Sequence, residues 1–198
     1  AELADRVYVM YSGRIVEHGP VNSLFEAPLH PYTRGLIDCV TSLFDDKEHM
    51  SYIGGEVPDP KNPPAGCRFH PRCPLSIEKC RQDVPVAAER HGHMVKCWLA
   101  EDVSQSPASI VDIPPKETSL CTEPKSLLTV DDAVQYYPVR GGAFGGNSAV
   151  VHAVNGVSLD ILPGQVWALV GESGSGKSTL ARMVSGLEEP KTGRVTLC

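Results

Sequence analysis

The sequence has no long apolar run and no excess of positive charge. Its 198 residues hold 18 Lys and Arg against 24 Asp and Glu, which gives a formal net charge of −6. The basic footprint typical of a nucleic-acid-binding protein is therefore missing, and we expect no nucleic-acid partner. The longest apolar runs, such as residues 166–171, are far shorter than the roughly 18 residues of a membrane-spanning helix. We therefore expect no transmembrane segment.

Close cysteine pairs are missing as well, although the chain contains 7 cysteines. Three of them, Cys67, Cys73 and Cys80, lie in the fifteen residues GCRFHPRCPLSIEKC, and Cys97 follows. The spacing C-x5-C-x6-C-x16-C contains no C-x2-4-C pair of the kind that zinc sites usually use. Hydrophobic periodicity fades between Val57 and Cys97, and such a segment usually needs covalent or metal staples to hold its shape.

The remaining segments follow a mixed α/β pattern. Residues 6–18 alternate like a hairpin with its turn at Tyr11-Ser12-Gly13, and two helices are predicted after it. Residues 104–126 are rich in Ser, Pro, Thr, Glu and Lys and are typical of a linker. Residues 140–147 hold four glycines and predict a flexible loop. The predicted helices are Val21–Glu26 and His30–Val40. The predicted strands are Leu127–Val130, Val134–Tyr137 and Gln165–Val170, and Val154–Ile161 is predicted to form a strand pair.

A glycine-rich stretch near the end matches a known phosphate-binding pattern. Gly171 to Ser178 reads GESGSGKS and fits G-x-x-x-x-G-K-[ST] in full. A buried strand over residues 165–170 is predicted before it, and a helix over Thr179–Leu187 after it. This strand–loop–helix context is the one the pattern requires, so the sequence predicts a nucleotide phosphate site.

The residues of this loop have distinct predicted roles. The glycines let successive backbone N–H groups point inward at phosphate oxygens, and the helix adds the positive end of its dipole. Lys177 is expected to reach the β and γ phosphates, Ser178 to bind Mg²⁺, and Thr179 to contact the α phosphate. The predicted ATP-binding residues of the loop are Gly171, Glu172, Ser173, Gly174, Ser175, Gly176, Lys177, Ser178 and Thr179.

The surroundings of the loop resemble the start of an ATP-binding-cassette (ABC) ATPase domain. The resemblance rests on residues 151–159, on Pro163-Gly164-Gln165 and on the loop itself. It implies a P-loop NTPase fold and an aromatic residue that stacks on adenine. Tyr137 is the expected match, ahead of Tyr136, although the long glycine-rich loop after it could move it relative to the phosphate loop.

The first third of the chain resembles the end of another such domain. Residues 4–19 are similar to its closing hairpin, and residues 28–36, 57–58 and 66–74 are similar to the C-terminal extension of oligopeptide and dipeptide importer ATPases. We therefore expect an internal fragment of a fused two-cassette protein, an α/β chain of P-loop NTPase domains joined by a Cys-rich, metal-stapled irregular extension. The expected domains are 1–45, the tail of a first ATPase domain; 46–103, the Cys-rich extension; 104–126, the linker; and 127–198, the N-terminal part of a second ATPase domain.

Four explanations compete for the thiols of Cys67, Cys73, Cys80 and Cys97. Disulfides are disfavoured in a protein that uses cytosolic nucleotide, and isolated structural thiols would not explain the clustering. A Zn²⁺ site with four cysteines and a cubane iron–sulfur cluster both fit the residue type. The importer resemblance implies a 4Fe–4S cluster with a structural role.

Other side chains near these thiols are weaker candidates. Arg68 and Arg72 could offset the negative charge of a thiolate-ligated cluster, or could be solvated surface arginines. His70, His91 and His93 are spare ligand candidates. Cys39, Cys121 and Cys198 fall outside the spacing pattern and are expected to be ordinary thiols.

The resemblance implies an ATP-binding subunit that energises import of peptides or similar small solutes. Its implied partners are ATP, transmembrane permease subunits and, indirectly, a solute-binding protein, and its implied location is the cytoplasmic face of the inner membrane, as a peripheral protein. The parent protein is expected to be a transport-coupled ATPase. This chain alone is not expected to hydrolyse ATP, because only twenty-one residues follow Lys177 and the segments that hold Mg²⁺ and orient water are missing from it. No catalytic residue is predicted.

Two other functions remain open from the sequence. One is a metal-cluster module for interaction or sensing, attached to a different P-loop NTPase. The other is a different P-loop enzyme, such as a GTPase or a small-molecule kinase, against which the predicted adenine-stacking tyrosine argues.

Overall fold

The computed structural model describes residues 4–41, 53–100, 126–139 and 149–197. These ranges contain eight strands and four helices, arranged in two sheets. In chain order the elements are β1 (Arg6–Tyr11), β2 (Arg14–Pro20), α1 (Val21–Glu26), α2 (Pro31–Thr41), α3 (Glu78–Gln82), β3 (Ala88–Arg90), β4 (His93–Val95), β5 (Leu128–Val139), β6 (Ala149–Ile161), β7 (Trp167–Val170), α4 (Lys177–Val184) and β8 (Thr192–Leu197).

The larger sheet joins the two ends of the chain. Its strand order is β3-β4-β2-β1-β7, and β1 runs parallel to β7 with Arg6 opposite Trp167 and Val9 opposite Val170. The predicted hairpin is confirmed: β1 and β2 are antiparallel, and the turn between them places Ser12 and Gly13 at φ values of 46° and 80°. Two left-handed residues in succession are typical of the two-residue hairpin turn whose twist matches that of the strands.

Strand β1 contributes side chains to two hydrophobic clusters because its side chains alternate between the two faces of the sheet. Tyr8 and Met10 belong to a cluster with side chains of β5, β6 and α4. Val7, Val9 and Tyr11 belong to a second cluster, with side chains of α1 and α2 and with Phe69. The chain therefore encloses β1 on both sides, and this strand is its central element.

The smaller sheet has the order β6-β5-β8 and is antiparallel throughout. The two strands predicted over residues 127–130 and 134–137 are wrong as separate elements, because they form the single strand β5. The register shifts between Val130 and Ala133, where Asp132 has a φ of 44°. A bulge of this kind interrupts the alternation of side chains and so resembles a strand break in the sequence.

Two further predictions need correction. The strand before the phosphate loop was expected to be buried, but the residues of β7 are half-buried and Val170 is 36% exposed. The reason is position: β7 is the edge strand of its sheet among the described residues. The helix predicted over Thr179–Leu187 instead begins at Lys177 and ends at Val184. Gly186 follows it with a φ of 70°, and a left-handed glycine commonly terminates a helix.

Helices α1 and α2 were predicted within two residues of their observed bounds. The segment 57–97 is mainly irregular, as predicted, but it carries the short elements α3, β3 and β4. The predicted glycine-rich loop at 140–147 and nearly all of the predicted linker lie outside the described residues. None of the helices in the described ranges combines the length and apolar character that a bilayer crossing requires.

Candidate functional site

The phosphate loop connects β7 to α4 in the order that the sequence predicts. The helix begins at Lys177, and Gly176 precedes it as its N-cap with a φ of 105°. Only glycine adopts this backbone conformation without strain. The N-terminus of α4 therefore faces the loop, where its dipole favours a bound anion.

Backbone atoms of β1 and β6 pack closely against the phosphate loop. A Cβ built on Gly171 would collide with the carbonyl oxygen of Met10 in β1, and one built on Gly176 would collide with that of Ala153 in β6. The N–H of Gly13 donates to the carbonyl oxygen of Ser175 at 2.8 Å. These close approaches explain why the pattern needs glycine at both ends of the loop.

The side chain of Lys177 folds over the loop. Its Nζ donates to the carbonyl oxygens of Gly171 at 2.8 Å and Glu172 at 2.6 Å, and lies 3.3 Å from Ser175 Oγ. Ser178 is exposed at the first turn of α4, whereas Ser175 is buried. The structure thus brings the nine predicted loop residues together, with the lysine at their centre.

Tyr137 lies on β5 at the side of α4. Its hydroxyl donates to Glu188 Oε1 at 2.7 Å, and a hydrogen bond with the Thr179 side chain also involves this hydroxyl. Burial first, and then the hydrogen bond to Glu188, raises the pKa of Tyr137. The ring is 38% exposed, as is that of its neighbour Tyr136, which packs near His152 instead. Of the two tyrosines, Tyr137 is the one that contacts the predicted α-phosphate residue.

The four cysteines of the spacing pattern lie close together. Cys80 is buried on α3, and Cys67, Cys73 and Cys97 are half-buried in the turns around it. Burial, and to a smaller extent the negative charges of the other three cysteines, raise the pKa of the Cys97 thiol to about 12. Burial likewise raises the pKa values of Cys67 and Cys73, and both are also raised by Cys80.

Backbone N–H groups point at the sulfur atoms of this cluster. Cys67 accepts from Phe69 and His70, Cys73 from Leu75, and Cys97 from Leu99, the last at 3.4 Å; each contact lowers the pKa of the thiol that accepts it. Consecutive turns form this segment: the N–H of His70 donates to the carbonyl oxygen of Cys67 at 3.0 Å, and that of Cys73 to the carbonyl oxygen of His70 at 3.3 Å. The N–H of Cys67 donates to the carbonyl oxygen of Cys80 at 2.9 Å and so ties these turns to α3. Such N–H···S bonds stabilise thiolates and are a means by which proteins tune iron–sulfur clusters.

A single-ion site is not formed by these side chains. Within the described ranges no group of three or more His, Cys, Asp or Glu is arranged to hold one metal ion. A zinc ion would require sulfur ligands about 2.3 Å from one centre. The structure therefore supports the clustering of the four thiols, while the predicted 4Fe–4S or Zn²⁺ staple stays a prediction.

Of the three spare ligand candidates, His70 lies beside the cysteine cluster and the other two do not. His70 uses its Nδ1 on the carbonyl oxygen of Cys67 at 2.9 Å. His91 is exposed in the turn between β3 and β4, and His93 is buried 3.1 Å from Glu17. Cys39 lies on α2, away from the pattern in sequence, and Cys121 and Cys198 lie outside the described residues.

The arginines near the thiols have other partners than expected. Arg68 is buried and its Nη1 donates to the carbonyl oxygen of Ser12, and burial lowers its pKa to about 10. Arg72 binds Glu172 of the phosphate loop. Burial lowers the pKa of Arg14, which the sequence did not single out, and the charge of the nearby Cys67 thiol partly opposes this shift.

Sequence reasoning also missed the residues that hold the loop entrance. Tyr32 accepts the N–H of Glu172 at 2.8 Å through its hydroxyl oxygen, and Arg72 binds the Glu172 carboxylate. Buried Glu17 accepts the N–H groups of Leu29 and His30 just before α2. The only sequence signal for this arrangement is the stretch His30-Pro31-Tyr32, and nothing in it indicates a contact with a residue 140 positions away.

Two segments of the chain match known protein families. Residues 16–80 match the family described as oligopeptide/dipeptide transporter, C-terminal region. Residues 154–198 match the family described as ABC transporter. The first segment contains three of the four clustered cysteines, and the second contains the whole phosphate loop.

Curated relatives agree with these matches. The chain is 44% identical over 103 residues to the oligopeptide transport ATP-binding protein AppD of Bacillus subtilis, an alignment that covers 52% of this chain and 31% of that protein. It is 43% identical over 104 residues to the dipeptide transport ATP-binding protein DppD of Caldanaerobacter subterraneus, with 52% and 32% covered. It is 45% identical over 100 residues to the di/tripeptide transport ATP-binding protein DppF of Pseudomonas aeruginosa, with 50% and 31% covered. The chain spans about a third of the length of these relatives.

Proposed function

We infer that the chain is a fragment of an oligopeptide/dipeptide importer ATP-binding protein, and we propose that it binds ATP at residues 171–179 to energise uptake of peptides or similar small solutes. The family resemblance expected from the sequence is confirmed by the two matched segments. The mixed α/β structure of a P-loop NTPase is confirmed with it. The observation that carries the proposal is the loop between β7 and α4, with Lys177 at its centre.

The geometry of the loop suits a nucleoside triphosphate. Lys177 Nζ, which donates to the carbonyl oxygens of Gly171 and Glu172, can exchange these partners for phosphate oxygens, which bind an ammonium more strongly. The exposed hydroxyl of Ser178 would hold Mg²⁺, which neutralises charge on the phosphates when bound. Thr179 follows on the same helical turn and would reach the α phosphate.

Nucleotide titration tests the proposal. We expect the 198-residue chain to bind a fluorescent ATP analogue in the presence of Mg²⁺, and Lys177→Ala to weaken binding at least about tenfold, since a charged donor to phosphate is lost. Lys191→Ala removes an exposed lysine after α4 and is the matched control. Equal affinity of the chain and Lys177→Ala would contradict the proposal.

Adenine stacking on Tyr137 is the second part of the proposal. Its support is the contact with Thr179 and the exposed ring. Tyr137→Ala should weaken ATP by about 1 to 3 kcal/mol, the usual value of one stacked base. Tyr137→Phe, which keeps the ring and loses the Glu188 bond, should bind like the parent chain. If Tyr136→Ala has the larger effect, the assignment moves to Tyr136.

We propose the 4Fe–4S cluster as the structural staple of the 46–103 extension, with Zn²⁺ as the alternative. The support is four neighbouring thiols, of which Cys67, Cys73 and Cys97 accept backbone N–H groups. The cluster would tie together the turns of a segment with few regular elements. Iron, sulfide and zinc per chain after anaerobic purification decide the question, with Cys73→Ser as the test variant and Cys39→Ser as the control. Equal iron and sulfide, lost only in Cys73→Ser, is expected; zinc alone selects the alternative, and the absence of all three refutes the staple.

The whole-protein assignment includes two ATPase domains. We propose the boundaries 1–45, 46–103, 104–126 and 127–198, with transmembrane permease subunits as direct partners, a solute-binding protein as an indirect one, and a peripheral position at the cytoplasmic face of the inner membrane. The names of the relatives, which are peptide transport ATP-binding proteins, support the transport role and the permease partners. The reading frame tests it, because a second ATPase domain must continue beyond residue 198 with an acidic strand end that holds Mg²⁺.

A further inference from the structure

Glu172 in the phosphate loop is held by two residues from the other end of the chain. Arg72 donates from Nη1 to Glu172 Oε2 at 2.6 Å and from Nη2 to Oε1 at 3.1 Å. The Tyr32 hydroxyl accepts the backbone N–H of the same glutamate at 2.8 Å. One residue of the loop is thus bound through both its side chain and its backbone, and neither contact belongs to the nucleotide-binding pattern.

The Arg72 guanidinium is also held in place by groups outside the phosphate loop. Its Nε donates to the carbonyl oxygen of Gly54 and its Nη2 to that of Ile53, both at 2.9 Å, and its Nη1 lies 3.4 Å from the Tyr11 hydroxyl. Its side chain is only 4% exposed, whereas that of Glu172 is 27% exposed. A two-pronged contact from a fixed fork restricts the carboxylate in distance and in direction.

Tyr32 is held just as firmly. It is fully buried on α2, and its own N–H donates to His30 Nδ1 at 3.1 Å. Buried Glu17 fixes the backbone of His30 and of Leu29. The hydroxyl that receives the loop is therefore at the end of a chain of buried hydrogen bonds.

Both contacts act on the entrance of the loop. Residues 174–178 carry the amides and the lysine predicted to face phosphate, and Glu172 precedes them. Holding Glu172 limits the conformations of an otherwise glycine-rich loop, which lowers the entropy lost on binding. Arg72 also neutralises a carboxylate that would otherwise repel the phosphates at close range.

We propose that Arg72 and Tyr32 are positioning residues of the nucleotide site, so that docking of the Cys-rich extension on the loop sets its affinity for the triphosphate. We call this pair with Glu172 the loop clamp. The inference rests on the proposed function. It adds a regulatory contact, because a change in the conformation of the turn that carries Arg72, next to Cys73, would alter the position of Glu172.

The test is affinity for a fluorescent ATP analogue, measured on the 198-residue chain at low and high salt. Arg72→Ala should weaken binding about tenfold at low salt, because it leaves Glu172 unpaired beside the phosphates. Adding Glu172→Gln to Arg72→Ala should recover about threefold, because the repulsive charge is then gone. High salt should shrink the difference between Arg72→Ala and the parent chain. Arg81→Ala, an exposed arginine on α3, is the matched control and should bind normally.

The outcomes separate the clamp from a purely structural role. If Arg72→Ala binds like the parent chain, or if Glu172→Gln gives no recovery and salt has no effect, the clamp is refuted. If Arg72→Ala does not fold by circular dichroism, Arg72→Lys decides: it keeps the charge without the two-pronged geometry, so an intermediate affinity supports the clamp and unchanged affinity refutes it. If the parent chain itself fails to bind while folded, the proposed function fails, and the clamp with it.

Discussion

The buried carboxylate of Glu17 should be one of the most sensitive positions for stability. It lies on β2 with no exposed surface and accepts the N–H groups of Leu29 at 2.8 Å and His30 at 3.0 Å, with His93 Nδ1 3.1 Å away. Glu17→Ala removes the acceptor and leaves both N–H groups in a site that water does not reach. A buried donor without an acceptor costs about 1 to 3 kcal/mol, so the two together predict a loss of about 2 to 6 kcal/mol.

Glu17→Gln refines the expectation. It keeps one acceptor oxygen and the shape of the side chain, but turns an NH₂ group toward the second backbone donor. We expect about half of the loss seen with Glu17→Ala, since only one of the two donors is left unpaired. Glu26→Ala is the matched control, because Glu26 is exposed on α1 and surface substitutions usually change stability by less than about 0.5 kcal/mol.

Urea unfolding followed by far-ultraviolet circular dichroism measures these free energies. The expected order of stability is parent chain and Glu26→Ala, then Glu17→Gln, then Glu17→Ala. A Glu17→Ala chain as stable as Glu26→Ala would refute the reasoning, because it would mean that the two N–H groups find other acceptors. A loss of ATP affinity with Glu17→Ala is also expected, since His30 orients the tyrosine that contacts the loop.

Two further predictions concern acid and the glycines of the loop. Burial lowers the pKa values of His18 and His30 from 6.5 to about 4, so the unfolded chain binds more protons than the folded one between these values. The stabilisation from these two groups should then be complete above about pH 6.5 and be lost as the pH falls toward 4. The pH dependence of urea unfolding should show about two protons taken up on unfolding near pH 5, and about one in His18→Phe. A free energy of unfolding that does not change with pH would contradict this. Gly176→Ala should lower the melting temperature more than Gly174→Ala, because only the first places a Cβ against the Ala153 carbonyl; equal melting temperatures would argue against the tight packing.

Local elements were predictable where the signal is short-range. The hairpin of β1 and β2 follows from alternating apolar residues and a Ser-Gly turn, and α2 follows from a proline at its first position, where the missing N–H costs nothing. The phosphate loop is specified by its glycines, of which Gly171 and Gly176 leave no room for a Cβ. Bulges were not predictable, because the register shift within β5 at residues 130–133 looks like a break in the alternating pattern.

The candidate site divides in the same way. The loop residues and the four clustered thiols were identified from spacing, and the structure brings each group together. The partners of Glu172 were not, because Arg72 had been assigned to the thiols or to solvent, and no periodicity links residues 100 positions apart. The expected burial of β7 was wrong for a related reason. Apolar composition indicates that a strand is buried, but it does not tell whether the strand lies in the middle or, as β7 does among the described residues, at the edge of its sheet.

Residue types and their spacing fix the chemistry available to this protein: a phosphate loop, four thiols in a loose spacing, and segments typical of peptide importer ATPases. These are local properties, fixed by residue type and by spacing along the chain. The pairing of β1 with β7 becomes visible in the folded chain alone, and so do the contacts of α2 and the Cys-rich segment with the loop at Glu172. Such pairing depends on how two hydrophobic clusters close around both faces of β1, and that is a property of packing rather than of any stretch of sequence.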